Sequence, residues 1–259
     1  MTTNVAWFET DAAEPLSVAI VVHGLNTKAS LMDELIEVLV AGGHHCARVS
    51  LYGSGGVSAG NGAPVRERWR EIYASACDEA ATRFPTLPLT GVAFSLGSLI
   101  TLDYLGRDPT RSFKSLVLLA PPLSLRPVAQ LVRYLVPLSR TGLRLPSAAP
   151  KSVRQRWATP LSEYSALLDL ASDVGRVADG PRLRQTPCLV MVSPNDELVD
   201  AAGVSRWVEA HGLGARWTTT AVMERRSITP SRRHLIVTEA SIGAEAWRSL
   251  RTAVLDHLR

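Results

Sequence analysis

Two serines stand in a small-x-Ser-x-Gly setting, the spacing a serine nucleophile needs on a tight strand-to-helix turn. One is the literal match Gly56-Val-Ser58-Ala-Gly60, inside a glycine-rich run from Gly53 to Gly62. The other is Ala93-Phe-Ser95-Leu-Gly97. Such a turn brings the residues two before and two after the serine almost into contact, so both must be small. It also needs a strand entering and a helix leaving at once. Leu89–Phe94 reads as a strand and Ser98–Leu105 as a helix, whereas Ser58 runs into Asn-Gly-Ala-Pro, which starts no helix. The literal motif falls at Ser58; the physical requirements are met at Ser95.

A nucleophilic serine needs a base, the base an orienting acid, and the developing oxyanion a set of donors. Val18–Val22 reads as a strand that runs straight into His23-Gly24-Leu25-Asn26. A glycine turn there can direct backbone N–H groups into a site, alongside the N–H of Leu96. Cys188–Val192 leads into Ser193-Pro-Asn-Asp196-Glu197-Leu-Val-Asp200, which offers three carboxylates, and Ala215–Val222 leads through a loop to His234. The resulting chain order is Ser, Asp, His. Other histidines read more plainly: His211 as a helix-end cap before Gly212, and His44, His45 and His257 as solvent-facing.

The elements that must position these residues alternate along the chain. β-rich runs at Val5–Glu9, Leu16–Val22, Cys46–Tyr52, Leu89–Phe94, Ser115–Ala120, Cys188–Val192 and Ala215–Val222 are separated by helical patterns. The latter cover Leu31–Ala41, Pro64–Arg83, Ser98–Leu105, Gly203–His211 and Ser241–Leu258. Several runs are apolar throughout, as strands covered on both faces should be, which predicts an α/β fold with a mostly parallel sheet flanked by helices. From Pro121 to about Arg184 the alternation stops, prolines recur, and helix-like pieces stand at Val128–Val136 and Ser162–Ala171 without a strand pattern. A structureless loop of that length is out of place in a compact domain. Residues 121–184 are therefore expected to form an inserted helical cap on a core made of residues 1–120 and 185–259.

The pieces His23-Gly24-Leu25, Ala93–Gly97, Ser193–Asp196 with Val199, and His234 together resemble the α/β-hydrolase superfamily. The chain is most similar to its compact bacterial carboxylesterases and monoacylglycerol lipases, which overlap with the serine aminopeptidase-like hydrolases. The resemblance implies Ser95 as nucleophile, His234 as base, Asp196 rather than Glu197 or Asp200 as acid, and the N–H groups of Leu25 and Leu96 as oxyanion hole. It implies cleavage of esters with short to medium acyl chains, or monoacylglycerol-like ones, through an acyl-enzyme, with no cofactor and no metal. The insertion falls where that family carries its cap, so Tyr134, Trp157 and Tyr164 become candidates to line an acyl pocket. Thioester or amide hydrolysis by the same residues, or a non-catalytic small-molecule sensor on the same fold, are the alternatives. Departures from the family pattern are Ala93 for the usual Gly, Phe94 where His is common, Gly53-Ser-Gly-Gly56 for Gly-His-Gly, and Arg233 where Gly often precedes the His. They bear on substrate preference more than on mechanism.

Composition narrows the remaining classes. With 259 residues, 46% of them hydrophobic, the chain can bury a large core, which excludes a disordered protein. No stretch approaches the ~18 unbroken apolar residues of a membrane span. The N-terminus lacks signal-peptide character, and Cys46, Cys77 and Cys188 are scattered, as expected of free thiols in the cytoplasm. Nucleotide-binding loops and metal motifs are absent from the sequence pattern. The formal net charge of +4 is unevenly divided: residues 121–184 hold ten basic against four acidic side chains, the remainder eighteen against twenty. The basic character therefore describes the insertion and gives no support to nucleic-acid binding. What it leaves as an expectation is weak contact with anionic lipid surfaces or acidic acyl substrates.

Overall fold

The computed structural model describes residues 4–52, 64–147, 149–223 and 233–259. The first half of the chain forms β1 (Val5–Phe8), β2 (Ser17–Val22), α1 (Asp33–Ala41), β3 (His44–Val49), α2 (Val65–Arg83), β4 (Leu89–Phe94), α3 (Leu96–Arg107) and β5 (Ser115–Leu119). Next come α4 (Pro127–Gln130), β6 (Arg144–Pro146), β7 (Ala158–Pro160), α5 (Leu161–Val177) and α6 (Pro181–Gln185). The chain closes with β8 (Cys188–Val192), α7 (Ala201–Ala210), β9 (Trp217–Ala221), α8 (Glu239–Ile242) and α9 (Ala244–Leu258). Seven strands make one sheet in the order β1-β3-β2-β4-β5-β8-β9, parallel throughout except that β1 runs antiparallel to β3.

The unbroken apolar strands have the two-sided burial their composition predicts. In β2, Val18, Ile20 and Val22 pack with Trp69 and Tyr73 of α2 and Leu99 of α3, while Ala19 and Val21 pack with Leu35 and Leu39 of α1 and Trp247 of α9. Each such buried aliphatic side chain stabilises the fold by about 1.5–3 kcal/mol relative to exposure. The edge strand β9, by contrast, is partly exposed, which is why its run reads Thr-Thr-Thr. The seven expected strands and their helices are all present, and the doubly covered, mostly parallel sheet is the α/β-hydrolase architecture.

Several local expectations are corrected. Residues 121–184 do contain strands: β6 and β7 pair as a small antiparallel sheet. Each is three residues long and ends in proline, which conceals it from any periodicity. Val128–Val136 is not one α-helix. The single turn α4 passes into a 3-10 helix over Leu131–Thr141, where Pro137 removes a donor and cannot fit an α-helix interior. Gly43, at φ +89°, lets the chain turn sharply from α1 into β3, so His44 is already strand. His44 and His45 are buried rather than solvent-facing. Ser58 and the Gly53–Gly56 loop lie outside the described residues.

Residues between 121 and 184 join the main core. Ala166, Leu167, Leu170 and Val174 of α5 belong to the apolar cluster formed by α2 and α3. At the other end of that cluster, α3 starts directly against the end of β2. A Cβ on Gly97 would lie 2.7 Å from the Val22 carbonyl oxygen and 2.9 Å from that of His23. Both are backbone atoms, so neither can yield cheaply. Gly97→Ala is expected to lower the unfolding free energy by about 2 kcal/mol, measurable in urea titrations. Unchanged stability would contradict the close approach described.

Candidate active site

All four loops that matter leave the sheet at the carboxyl ends of parallel strands, where open α/β sheets place their ligands. Ser95 sits between β4 and α3 with φ +51° and ψ −118°, a backbone conformation that non-glycine residues rarely hold. Strain of this kind persists only where the surroundings enforce it. Here Ser95 N–H donates to the Leu119 carbonyl at 2.8 Å and Ser98 Oγ to the Ala93 carbonyl at 3.1 Å. The Ser95 setting has the strand, the strained turn and the helix that the sequence reading required of it.

Across from Ser95 Oγ lies His234 Nε2, at 2.9 Å, and His234 Nδ1 lies 2.8 Å from Asp196 Oδ2. Asp196 is fully buried, and its other oxygen accepts the N–H groups of Leu198 and Val199 at 2.8 and 2.9 Å. Three hydrogen bonds on one carboxylate fix its orientation towards the His234 ring. With Nδ1–H donated to Asp196, Nε2 is the free lone pair that accepts the Ser95 hydroxyl proton. The other two carboxylates take different parts: Glu197 Oε2 accepts the backbone N–H of His234 at 3.1 Å, and Asp200 pairs with Arg206 at 3.1 Å.

The loop after β2 completes the site. Gly24 lies so close to Ser95 that a Cβ would come within 3.1 Å of the serine Cβ and 3.0 Å of the Phe94 ring. Its carbonyl accepts His23 Nδ1–H at 2.8 Å and Thr27 Oγ1–H at 3.0 Å. In a planar trans peptide the Leu25 N–H must then point the opposite way. Leu96 N–H is at the first turn of α3, where it has no intrahelical partner and the helix dipole favours negative charge. Neither N–H has an acceptor among the described residues.

These groups open onto a cavity of about 430 Å³, lined mainly by apolar side chains that include Leu125, Val128, Val132, Leu167, Leu168 and Val199. Of the three aromatic candidates, Tyr164 lines it. Tyr134 and Trp157 do not: they stand 73% and 66% exposed, Tyr134 on the 3-10 helix and Trp157 just before β7. A wider, open depression of about 1000 Å³ between α1 and α9 contains no serine, cysteine or histidine. Burial pushes the thiols of Cys46 and Cys77 up to about 12, which leaves them poor nucleophiles. Among the described residues no group of three or more His, Cys, Asp or Glu side chains could hold a metal ion. No described helix is long and apolar enough to cross a membrane.

Two contributors were invisible in the sequence. Arg126 donates through Nε to the Asp196 carbonyl at 2.5 Å and through Nη2 to that of Pro194 at 3.0 Å, so it wraps the acid-bearing turn from 70 residues away. Phe94 stacks obliquely on the His234 ring at 5.2 Å. His23, by contrast, stands in the sequence motif; it is buried and held neutral, and burial lowers its pKa to about 4. Its Nε2 accepts Leu51 N–H at 3.1 Å, which leaves the proton on Nδ1 for Gly24. Because the unfolded histidine binds a proton near pH 6.5 and the folded one only near 4, the native state loses stability as pH falls through that window. The His23 share is about 3 kcal/mol over the whole window. In imidazole ¹⁵N spectra His23 should stay neutral at about pH 5.5 while urea stability declines; a protonated His23 at that pH would contradict the assignment.

The profile of the family described as serine aminopeptidase, S33 (Hydrolase_4) matches residues 13–225, ending short of His234. No curated protein sequence matches significantly. Among solved structures, a monoacylglycerol lipase from Paleococcus ferrophilus superposes with a TM-score of 0.71 at 17% identity, covering 98% of this chain and 97% of its own. A carboxyl esterase from Bacillus coagulans, solved with glycerol, gives 0.72 at 14% identity, covering 98% and 94%. A soluble variant of monoglyceride lipase from Saccharomyces cerevisiae gives 0.72 at 13% identity, covering 98% and 90%. At such identities these likenesses speak to the fold. The family match spans most of the chain, and the chain belongs to the serine aminopeptidase S33 family of α/β hydrolases.

Proposed function

We propose that the protein is a serine hydrolase that cleaves carboxylic esters through an acyl-enzyme. The observation that carries this is the His234 ring, which bridges Ser95 Oγ and buried Asp196 at 2.9 and 2.8 Å on a strained turn. Ser95 Oγ attacks the acyl carbonyl as its proton passes to His234 Nε2, and Asp196 stabilises the imidazolium. The N–H groups of Leu25 and Leu96 receive the oxyanion, each worth about 3 kcal/mol by comparison with donors of this type. The alkoxide leaves with the proton from His234. Water then enters, His234 takes its proton, and the acid is released from Ser95.

An apolar cavity of about 430 Å³ suits a hydrocarbon acyl chain, within the ordinary size of small-molecule sites. The fold shared with monoacylglycerol lipases and a carboxyl esterase supports an ester of short or medium chain as substrate. Residues 121–184 act as the cap, with Tyr164, Leu167 and Leu168 on its inner side. The outer face exposes Leu131, Tyr134 and Leu138 in a run that includes Arg133 and Arg140. That pairing of apolar and basic groups supports weak contact with an anionic lipid surface. Three buried cysteines, all free thiols, support a reducing compartment such as the cytoplasm.

Ser95→Ala should cut turnover of p-nitrophenyl esters by about a thousandfold or more while the melting temperature holds. Undiminished activity would overturn the nucleophile assignment, and a wild-type protein silent on p-nitrophenyl esters of every chain length from acetate to laurate would favour a sensor. Activity on substrate in anionic vesicles should fall as salt rises; a flat salt response would remove the lipid contact.

A further inference from the structure

Four polar side chains from distant parts of the chain meet at the loop after β2: Asn26, Tyr52, Arg156 and Glu163. Asn26 N–H donates to Tyr52 Oη at 2.8 Å, and Tyr52 Oη–H donates to Glu163 Oε2 at 3.4 Å. Glu163 is 1% exposed, and Arg156 Nη2 reaches both its oxygens at 2.6 Å. The Arg156 guanidinium also covers the Tyr52 ring at 4.9 Å. Asn26 in turn binds the Arg156 backbone both ways, Nδ2–H to its carbonyl and Oδ1 from its N–H, each at 2.9 Å. Main-chain bonds from Gln155 N–H to the Asn26 carbonyl at 2.9 Å and from Lys28 N–H to the Val153 carbonyl at 2.8 Å complete the seam.

This arrangement is costly as a fastening. Burying a carboxylate and a guanidinium demands full pairing merely to break even, and apolar side chains of similar volume would hold two surfaces together as well. Tyr52, Arg156 and Glu163 do not line the cavity, so they do not meet a substrate there. What they meet is the peptide that follows Leu25. The peptide before Leu25 is pinned through the Gly24 carbonyl by His23 and Thr27. The one after it is pinned through Asn26 N–H by Tyr52, with Asn26 held at φ +51°. Leu25 is thereby fixed from both sides, which leaves its N–H a single direction.

We propose that Tyr52, Glu163 and Arg156 are positioning residues that hold the Leu25 N–H in its oxyanion-binding orientation, so that the inserted segment forms part of the catalytic apparatus as well as its cover. The inference rests on the reading of Leu25 as an oxyanion donor. Its sequence logic is that a residue of the insertion, Glu163 at the first turn of α5, reaches the loop after β2 through the hydroxyl of a residue just beyond β3. A loosened donor raises the barrier to the tetrahedral intermediate without changing how the apolar acyl chain binds, so the loss should fall on kcat rather than KM.

The test uses Tyr52→Phe, which removes one hydroxyl, and Glu163→Gln, which keeps shape and removes charge, each as the full-length protein. Ester kinetics, thermal unfolding and amide exchange over residues 23–28 are measured for both variants and for their combination. The expected result for Tyr52→Phe is a fall in kcat of about 10- to 100-fold, with KM within about threefold of wild type and faster exchange at Leu25 and Asn26. The double variant should lose little more than Tyr52→Phe alone, because both changes act through one contact. If Tyr52→Phe does not fold, Glu163→Gln carries the same expectation at about tenfold. Wild-type kcat in a folded variant, a loss confined to KM, or unchanged exchange at residues 23–28 would each overturn the proposal. A wild-type protein inert on every ester would sink the hydrolase reading instead, and is told apart because it appears before any substitution is made.

Discussion

The site depends on a contact between backbones. β2 and β4 are parallel neighbours, and the chains leaving them must share the space at their carboxyl ends. Gly24 of one loop touches Ser95 of the other, and Gly97 lies against the carbonyls of Val22 and His23. Only residues without a Cβ allow that approach. The approach in turn sets the positive φ of Ser95, the direction of Leu96 N–H at the start of α3, and the distance from the loop after β2 to the serine oxygen. Peptide planarity then converts a carbonyl held on one side into a donor aimed to the other. His23 does the holding, and its burial keeps it neutral.

Charge is used in the same way, to fix geometry between pieces that the chain separates. Arg126 encloses the turn that carries Asp196. Arg70 of α2 donates to Asp103 of α3 at 2.7 Å and to Asp173 of α5 at 2.6 Å, which ties the segment of residues 121–184 to both α2 and α3. The Arg156–Glu163 pair ties it to the loop after β2. With Leu167 and Leu170 in the main apolar cluster as well, the segment is anchored along α5 and over residues 153–163, and its freely exposed face is the stretch around Leu131–Thr141.

The sequence carried the parts of this account that obey local rules. Seven apolar runs of strand length, and the helices between them, follow from periodicity, since the burial of a strand on both faces is written in its composition. What distinguishes Ser95 from Ser58 in the sequence is the steric demand of the turn, which Ala93 and Gly97 meet, and not the literal motif. Four things were beyond such rules. The strands β6 and β7 are too short to have a period. Tyr134 and Trp157 face solvent on a 3-10 helix and a short connection that no helical period announces. His44 and His45 are buried because Gly43 starts β3 two residues early, which polarity alone argued against. Long-range side-chain partners such as Arg126 with Asp196, or Tyr52 with Glu163, leave no mark on a single sequence.

Everything in the proposed chemistry converges on Ser95 as an activated oxygen at an oxyanion site. The most direct measurement is covalent: incubation with a fluorophosphonate, followed by digestion and mass spectrometry of the modified peptide. The account predicts one adduct per chain, on Ser95 of the peptide Ala93-Phe-Ser-Leu-Gly97, formed slowly or not at all after His234→Ala. An adduct on another residue, or an unmodified Ser95 in folded protein, would contradict it.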